Sequence, residues 1–176
     1  MSRIPTRTVE DAPAASRPLL EKLAQASPTG RPFNLHAQMA HAPSVLNAYA
    51  SLRAAMTEHG SLDPKTSAAL TLAAAGSVGN GYMIGIASRL AQMNGCTEEQ
   101  VAALRAGSPT GDARIDALTD LVREAAAHAG KVDDATWNAA LQAGWSDAQL
   151  ADAFTNLGAT VFTAYFLNYA QTERDA

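Results

Sequence analysis

The chain has 176 residues and a formal net charge of −4, and 47% of its residues are hydrophobic while 17% are charged. This composition is ordinary for a globular protein, and the absence of a Lys/Arg block argues against binding to nucleic acid or to an anionic membrane. The single cysteine, Cys96, cannot form an internal disulfide, which suits a reducing compartment. No secretory signal and no apolar run of membrane-spanning length is found, so we expect a cytoplasmic protein.

The chain is predicted to begin with an arm and to continue as one helical domain. Residues 1–15 are mostly polar and proline-containing, and we expect this arm to become ordered by lying on the rest of the protein. Residues 16–176 are predicted to form a single all-helical domain, starting with short helices near 18–26 and 33–40. A longer helix follows from Pro43 to Gly60, with apolar residues at helical spacing.

The stretch 63–95 is predicted to be a helical hairpin at the centre of the fold. Two Ala-rich segments meet at a glycine-bearing junction, and their small side chains allow neighbouring backbones to approach closely. Asp63 is the expected N-cap of the first helix, and Asn80 could cap the second. We interpret the junction as the wall of a pocket.

The C-terminal half is predicted to contain four further helices. Thr97–Gln100 and Ser146–Gln149 are capping-box patterns, and an amphipathic helix begins near Asp112. The last helix carries two apolar stripes, so we expect it to be covered from two directions, partly by another subunit. No alternating pattern predicts a strand, and the expected architecture is an all-α bundle. The stripes are Leu150, Phe154, Leu157, Val161 and Tyr165, and Phe162, Phe166 and Tyr169.

Few residues suggest chemistry by themselves. The segment from Gly79 to Gly85 lacks the spacing and the preceding strand of a dinucleotide-binding loop. We interpret Gly79 and Gly81 as turn residues and Gly85 as a site of close helix approach. The four histidines form no H-x-x-x-H pair, so no metal site is predicted. Cys96 precedes a helix start, but it has neither a second cysteine nor an adjacent histidine.

Several diffuse motifs together resemble the carboxymuconolactone decarboxylase family, which includes the alkylhydroperoxidase D-like proteins. They are Asn34–Pro43 before the first long helix, Leu62-Asp63-Pro64, Asn94-Gly95 with Thr97-Glu98-Glu99, Ala143–Asp147, and Thr163–Phe166 with Thr172-Glu173. The resemblance covers about residues 30–173 and implies an oligomeric helical bundle.

The resemblance also implies a redox site that this chain lacks. Redox members of the family carry C-x-Y-C followed four residues later by His, with a Glu in the preceding helix. The corresponding positions here hold Asn80, Gly81, Tyr82 and Met83, then Ala87, with Ala68 in the preceding helix. Disulfide-cycling peroxidase chemistry is therefore not expected at this position, because it needs an attacking and a resolving thiol. We expect no cofactor and no metal.

Three functional hypotheses remain open. In the first, a non-redox member binds or transforms a small, partly apolar molecule in the hairpin pocket, as a lyase or hydrolase if it is an enzyme, with Tyr82 or His36 as acid or base. In the second, the protein is an inactive homo-oligomer, as a dimer, trimer or hexamer, with a structural or interaction role. In the third, residual peroxidase activity depends on Cys96. The predicted pocket is lined by His36, Asn80, Tyr82, Met83, Tyr165 and Asn168.

Overall fold

The computed structural model describes residues 2–175, and this part of the chain is helical without strands. The all-α prediction is therefore confirmed, and the order of helices is the expected one. In chain order they are α1 (Arg17–Gln25), α2 (Asn34–Met39), α3 (Pro43–His59), α4 (Pro64–Val78), α5 (Gly81–Met93), α6 (Glu98–Ala106), α7 (Ala113–Ala127), α8 (Asp134–Gln142) and α9 (Asp147–Ala170).

The described chain divides into two compact units. Unit 1 consists of residues 2–54 and 165–175, and unit 2 consists of residues 55–164. The predicted boundary between an arm at 1–15 and a domain at 16–176 is a different kind of division, and it stays a prediction.

Unit 2 is built around α4, as the Ala-rich sequence of this helix predicts. Every residue from Ala68 to Ala75 is buried, and α4 packs against α5, α6 and α7. Small side chains allow this burial on all sides, whereas an amphipathic helix would bury a single face. The main apolar cluster joins α4 to α7, α8 and α9 through Leu70, Ala74, Leu118, Leu121, Val122, Ala125, Ala140, Trp145, Leu150, Ala153 and Leu157.

The helix boundaries follow from capping hydrogen bonds that can be recognised in the sequence. Asp63 accepts a hydrogen bond from the Thr66 N–H at 3.0 Å. Thr97 and Gln100 form the predicted reciprocal capping box. The Ser146 and Gln149 pair repeats this arrangement at the start of α9. These bonds satisfy N–H groups that a helix start would otherwise leave without a partner.

Unit 1 contains the first and the last described residues of the chain, and backbone hydrogen bonds hold them together. The Arg3 N–H donates to the Ala170 carbonyl at 2.8 Å, and the Arg7 N–H donates to the Ala37 carbonyl at 3.0 Å. The N-terminal arm therefore lies along α2 and the end of α9.

The apolar stripes of α9 differ from the prediction. Leu150 and Leu157 are buried, but Phe154, Tyr165 and Tyr169 are 66%, 59% and 72% exposed. The first predicted stripe therefore combines core residues with residues that face outward. Whether another subunit covers the outward-facing residues stays a prediction.

Candidate functional site

The junction between α4 and α5 has the predicted turn, with Gly79 and Gly81 exposed and Asn80 buried. Gly79 ends α4 with a φ of 72°, in the left-handed region that favours glycine. Asn80 is the N-cap of α5, and its side-chain oxygen accepts a hydrogen bond from the Met83 N–H at 2.8 Å. Tyr82 and Met83 are also buried. Asn80 therefore has a structural role as a cap in addition to the predicted role in binding.

The interpretation of Gly85 is wrong. A Cβ atom added at this position would meet nothing within 4 Å, so no neighbouring helix requires a glycine there. Gly85 lies inside α5 on an exposed face. The glycine at 79 is required by its backbone conformation, whereas the glycine at 85 is not.

Cys96 lies at the other end of α5 from the junction. The thirteen residues of α5 separate the two positions, which corresponds to about 20 Å of helix. The Cys96 side chain is buried, and this burial raises the pKa of the thiol, while Lys65 lowers it and Asp63 raises it. These charged neighbours do not include an imidazole. A thiol with a raised pKa is mostly protonated at neutral pH and is a poor nucleophile.

His36 forms a polar pair with Tyr49 inside unit 1. Its Nε2 lies 3.2 Å from the Tyr49 hydroxyl, and the two ring centroids are 5.1 Å apart. Phe33 packs edge-on against the same imidazole. Loss of solvation on burial, together with the charge of Arg53, lowers the pKa of His36 to about 4, although Asp175 opposes the shift. The imidazole is therefore neutral at pH 7.

The second ring nitrogen of His36 is unusual. Nδ1 is buried and has no hydrogen-bond partner within residues 2–175. A buried polar atom without a partner costs roughly 1–3 kcal/mol. A neutral imidazole with one unused nitrogen can accept a hydrogen bond or a proton, but the lowered pKa makes His36 a weak base at neutral pH. The sequence singled out His36, but its pairing with Tyr49 was missed, since the helical pattern indicates Tyr49 only as an apolar position.

The six predicted pocket residues fall into two groups. Asn80, Tyr82 and Met83 lie close together at the α4–α5 junction in unit 2, whereas His36, Tyr165 and Asn168 belong to unit 1. Tyr165 is exposed on α9. The predicted lining of one pocket by all six residues stays a prediction.

Two cavities of unit 2 lie away from the junction, and neither is lined by any of the six predicted residues. One cavity, of about 200 Å³, lies between the starts of α4 and α7 beside Trp145. Its polar groups serve the fold: Asp63 and Asp112 cap helices, and the Trp145 indole N–H donates to the Arg114 carbonyl at 2.7 Å. The Arg114 guanidinium lies 4.0 Å from the Trp145 ring centroid. The other cavity, near Asp152, is considered below.

Metal binding and membrane insertion find no support in the part of the chain that the structure describes. Across residues 2–175, no three or more His, Cys, Asp and Glu side chains are grouped so that they could hold a metal ion. Over the same residues, each helix is too short or too polar to cross a bilayer.

Comparison with known proteins identifies relatives of this fold. Residues 43–127 match the model of the carboxymuconolactone decarboxylase family. This match includes α4 and α5 with their junction. No curated protein matches the chain.

Three solved structures have a similar fold at 16% sequence identity. A peroxidase-related protein from Ralstonia eutropha, described as an alkylhydroperoxidase AhpD core, has a TM-score of 0.84 over 99% of this chain and 92% of its own. A peroxidase-related protein from Silicibacter sp. has a TM-score of 0.76 over 100% and 96%. A putative antioxidant defence protein AhpD from Agrobacterium tumefaciens has a TM-score of 0.66 over 77% and 93%. The bundle is thus of the alkylhydroperoxidase D-like type.

Proposed function

We propose that this chain, which belongs to the carboxymuconolactone decarboxylase family through residues 43–127, is a member without thiol peroxidase chemistry that binds a small, partly apolar molecule. The observation that carries the proposal is the α4–α5 junction, where Asn80 and Met83 stand at the two positions that the resemblance assigns to thiols and Tyr82 stands at the position of its tyrosine. A cytoplasmic location is part of the same proposal and is supported by the single cysteine.

The state of Cys96 supports the loss of peroxidase chemistry. A disulfide cycle needs a thiolate that attacks the peroxide and a second thiol that resolves the sulfenic acid. The chain has one cysteine, and burial raises the pKa of its thiol. We expect no peroxide consumption above background when a dithiol reductant is supplied, in wild type and in Cys96→Ser alike. Reductant-dependent turnover that Cys96→Ser abolishes would contradict the proposal.

The α4–α5 junction has side chains suited to a ligand with polar and apolar parts. Asn80 and Tyr82 bring hydrogen-bonding groups, and Met83 brings a flexible apolar surface. If the bound molecule is transformed at the junction, Tyr82 is the proposed acid–base group there, because it carries the phenol among these three side chains.

Binding at the junction is tested by thermal shift with a panel of hydrophobic carboxylic acids and lactones. We expect a subset to raise the melting temperature of wild type, and Asn80→Asp to change that response, since Asp can still cap α5 while the amide is lost. Asp133→Asn at the start of α8 is the matched control, because it exchanges the same two groups at a remote cap. An unchanged ligand response in Asn80→Asp would remove Asn80 from the binding site.

The exposed side chains of α9 favour a second candidate function, that of a structural homo-oligomer. Phe154, Tyr165 and Tyr169 are large, mostly exposed and carried by one helix. Large apolar groups in such positions are common where subunits associate. Light scattering at micromolar protein concentration should then show a dimer, trimer or hexamer that Phe154→Arg weakens. A monomeric wild-type protein would exclude this candidate.

A further inference from the structure

A second polar cavity lies in unit 2, apart from the α4–α5 junction. It has a volume of about 160 Å³ and is bounded by the end of α3, the start of α4 and the first turns of α9. Met56 and Leu62 supply apolar wall, while Ser67, Asp152 and Asn156 supply polar groups. Cavities of this size accommodate a molecule of about six non-hydrogen atoms.

The carboxylate of Asp152 has one oxygen in use and one oxygen unused. Oδ2 accepts hydrogen bonds from the Ser61 N–H, at 2.6 Å, and from the Ser61 hydroxyl. Both bonds lower the pKa of Asp152, and the bond from the hydroxyl has the larger effect. The group is therefore ionised at neutral pH. Within residues 2–175, Oδ1 has neither a hydrogen-bond donor nor a cationic side chain as partner.

The neighbouring polar side chains, Asn156 and Ser67, are held in place by hydrogen bonds, and each can form one more. Asn156 is 4% exposed, and its Oδ1 accepts a hydrogen bond from the Ser67 hydroxyl at 2.7 Å. Its Nδ2 donates to the Asp152 carbonyl at 3.3 Å, which uses one of two N–H groups. The Ser67 oxygen can still accept a hydrogen bond. The cavity therefore offers a fixed carboxylate, one amide donor and one hydroxyl acceptor.

The charges around the cavity favour a ligand with a positive charge. The C-terminus of α3 contributes about half a negative charge, whereas the starts of α4 and α9 contribute partial positive charges of similar size. The Asp152 carboxylate, which has no cationic partner among residues 2–175, adds a full negative charge at the solvent-accessible side of the cavity. His59, which is exposed at the rim, is the remaining titratable group among the lining residues.

We propose that this cavity binds a small organic amine, with the ammonium group on Asp152 Oδ1 and the Ser67 hydroxyl and the apolar body against Met56 and Leu62. An ammonium has three N–H donors and matches the two free acceptors. A charge-assisted hydrogen bond of this kind is about twice as strong as a neutral one. The proposal concerns a different cavity from the α4–α5 junction and is independent of the proposed function.

The test is titration of the full chain with n-butylamine, followed by heteronuclear NMR shifts of backbone amides. We expect saturable shifts at Gly60, Ser67 and Asn156, and none from 1-butanol or butyrate at equal ionic strength. Asp152→Asn should weaken amine binding by about tenfold or more, because it removes the charge. The exposed Asp134→Asn is the matched control and should bind the amine like wild type. Asn80→Asp should also bind it normally, which separates this cavity from the junction.

Three results would overturn the proposal: no saturable amine shifts, equal binding of 1-butanol, or unweakened binding to Asp152→Asn. If Asp152→Asn fails to fold, Met56→Trp tests the proposal instead. The larger indole fills the cavity and leaves the Asp152 carboxylate in place. Loss of the amine shifts in Met56→Trp supports the site, and their persistence contradicts it.

Discussion

At the scale of single residues, His36 shows how burial turns a polar side chain into a source of pH dependence. Its pKa falls from 6.5 to about 4 because the folded protein removes water from the imidazole. Protonation is therefore easier in the unfolded chain than in the folded one. A group of this kind leaves stability unaffected above its unfolded pKa and weakens it as the pH falls toward the folded pKa.

The first prediction follows from that sign. Between pH 6.5 and about 4 the free energy of unfolding should fall by up to about 3 kcal/mol through His36. Urea denaturation of wild type at several pH values measures the loss, and His36→Gln should remove most of the slope. His128→Gln, at an exposed imidazole, is the control. A wild-type stability that stays flat across this range would contradict the buried, neutral state of His36.

At the scale of helices and turns, two glycines of the hairpin segment differ in what the backbone requires. The conformation at Gly79 requires a glycine, whereas the conformation at Gly85 accepts other residues. Gly79 has a φ of 72°, where a side chain is strained, whereas Gly85 has an ordinary helical backbone with open space beside it. We predict that Gly79→Ala destabilises the protein by about 1 kcal/mol and that Gly85→Ala stabilises it by about 0.5–1 kcal/mol.

Denaturant midpoints of these two variants provide the measurement, and each serves as the control of the other. Both add one methyl group within the same hairpin, so changes in hydrophobicity cancel in the comparison. Equal effects of the same sign would show that the conformation of the junction is different from the one described.

The helices were predictable because their signals are local in sequence. Asp63, Thr97 and Ser146 each act on a backbone N–H three residues away, and such pairs can be recognised in a single line of sequence. The contacts of His36 and of Asp152 involve residues from 13 to 91 positions away. No periodic pattern reveals those partners, so the candidate residue His36 was predicted without its surroundings and the Asp152 cavity was not predicted.

At the scale of the whole chain, residues near both ends of the described chain contact the buried side-chain amide of Gln38 in unit 1. Gln38 is 1% exposed, and its Nε2 donates to the Ile4 carbonyl at 2.7 Å. Its Oε1 accepts a hydrogen bond from the Thr172 hydroxyl at 2.5 Å. One side chain on α2 therefore joins the N-terminal arm to the segment after α9. The hydrogen bond to Thr172 joins segments 134 residues apart, and it acts beside a second contact between the same segments, from the Asn34 N–H to Asp175.

We predict that Thr172→Val costs about 1–3 kcal/mol, because it leaves the Gln38 carbonyl oxygen buried without its donor. The double variant Gln38→Leu/Thr172→Val should cost less than the sum of the single changes, since removing both partners eliminates the unsatisfied group. Guanidinium denaturation of the four proteins in this cycle gives the coupling energy. A Thr172→Val protein as stable as wild type would contradict this prediction. It would mean that the Thr172 hydroxyl does not stay bound to Gln38 in solution and that the N-terminal arm alone holds the Gln38 amide.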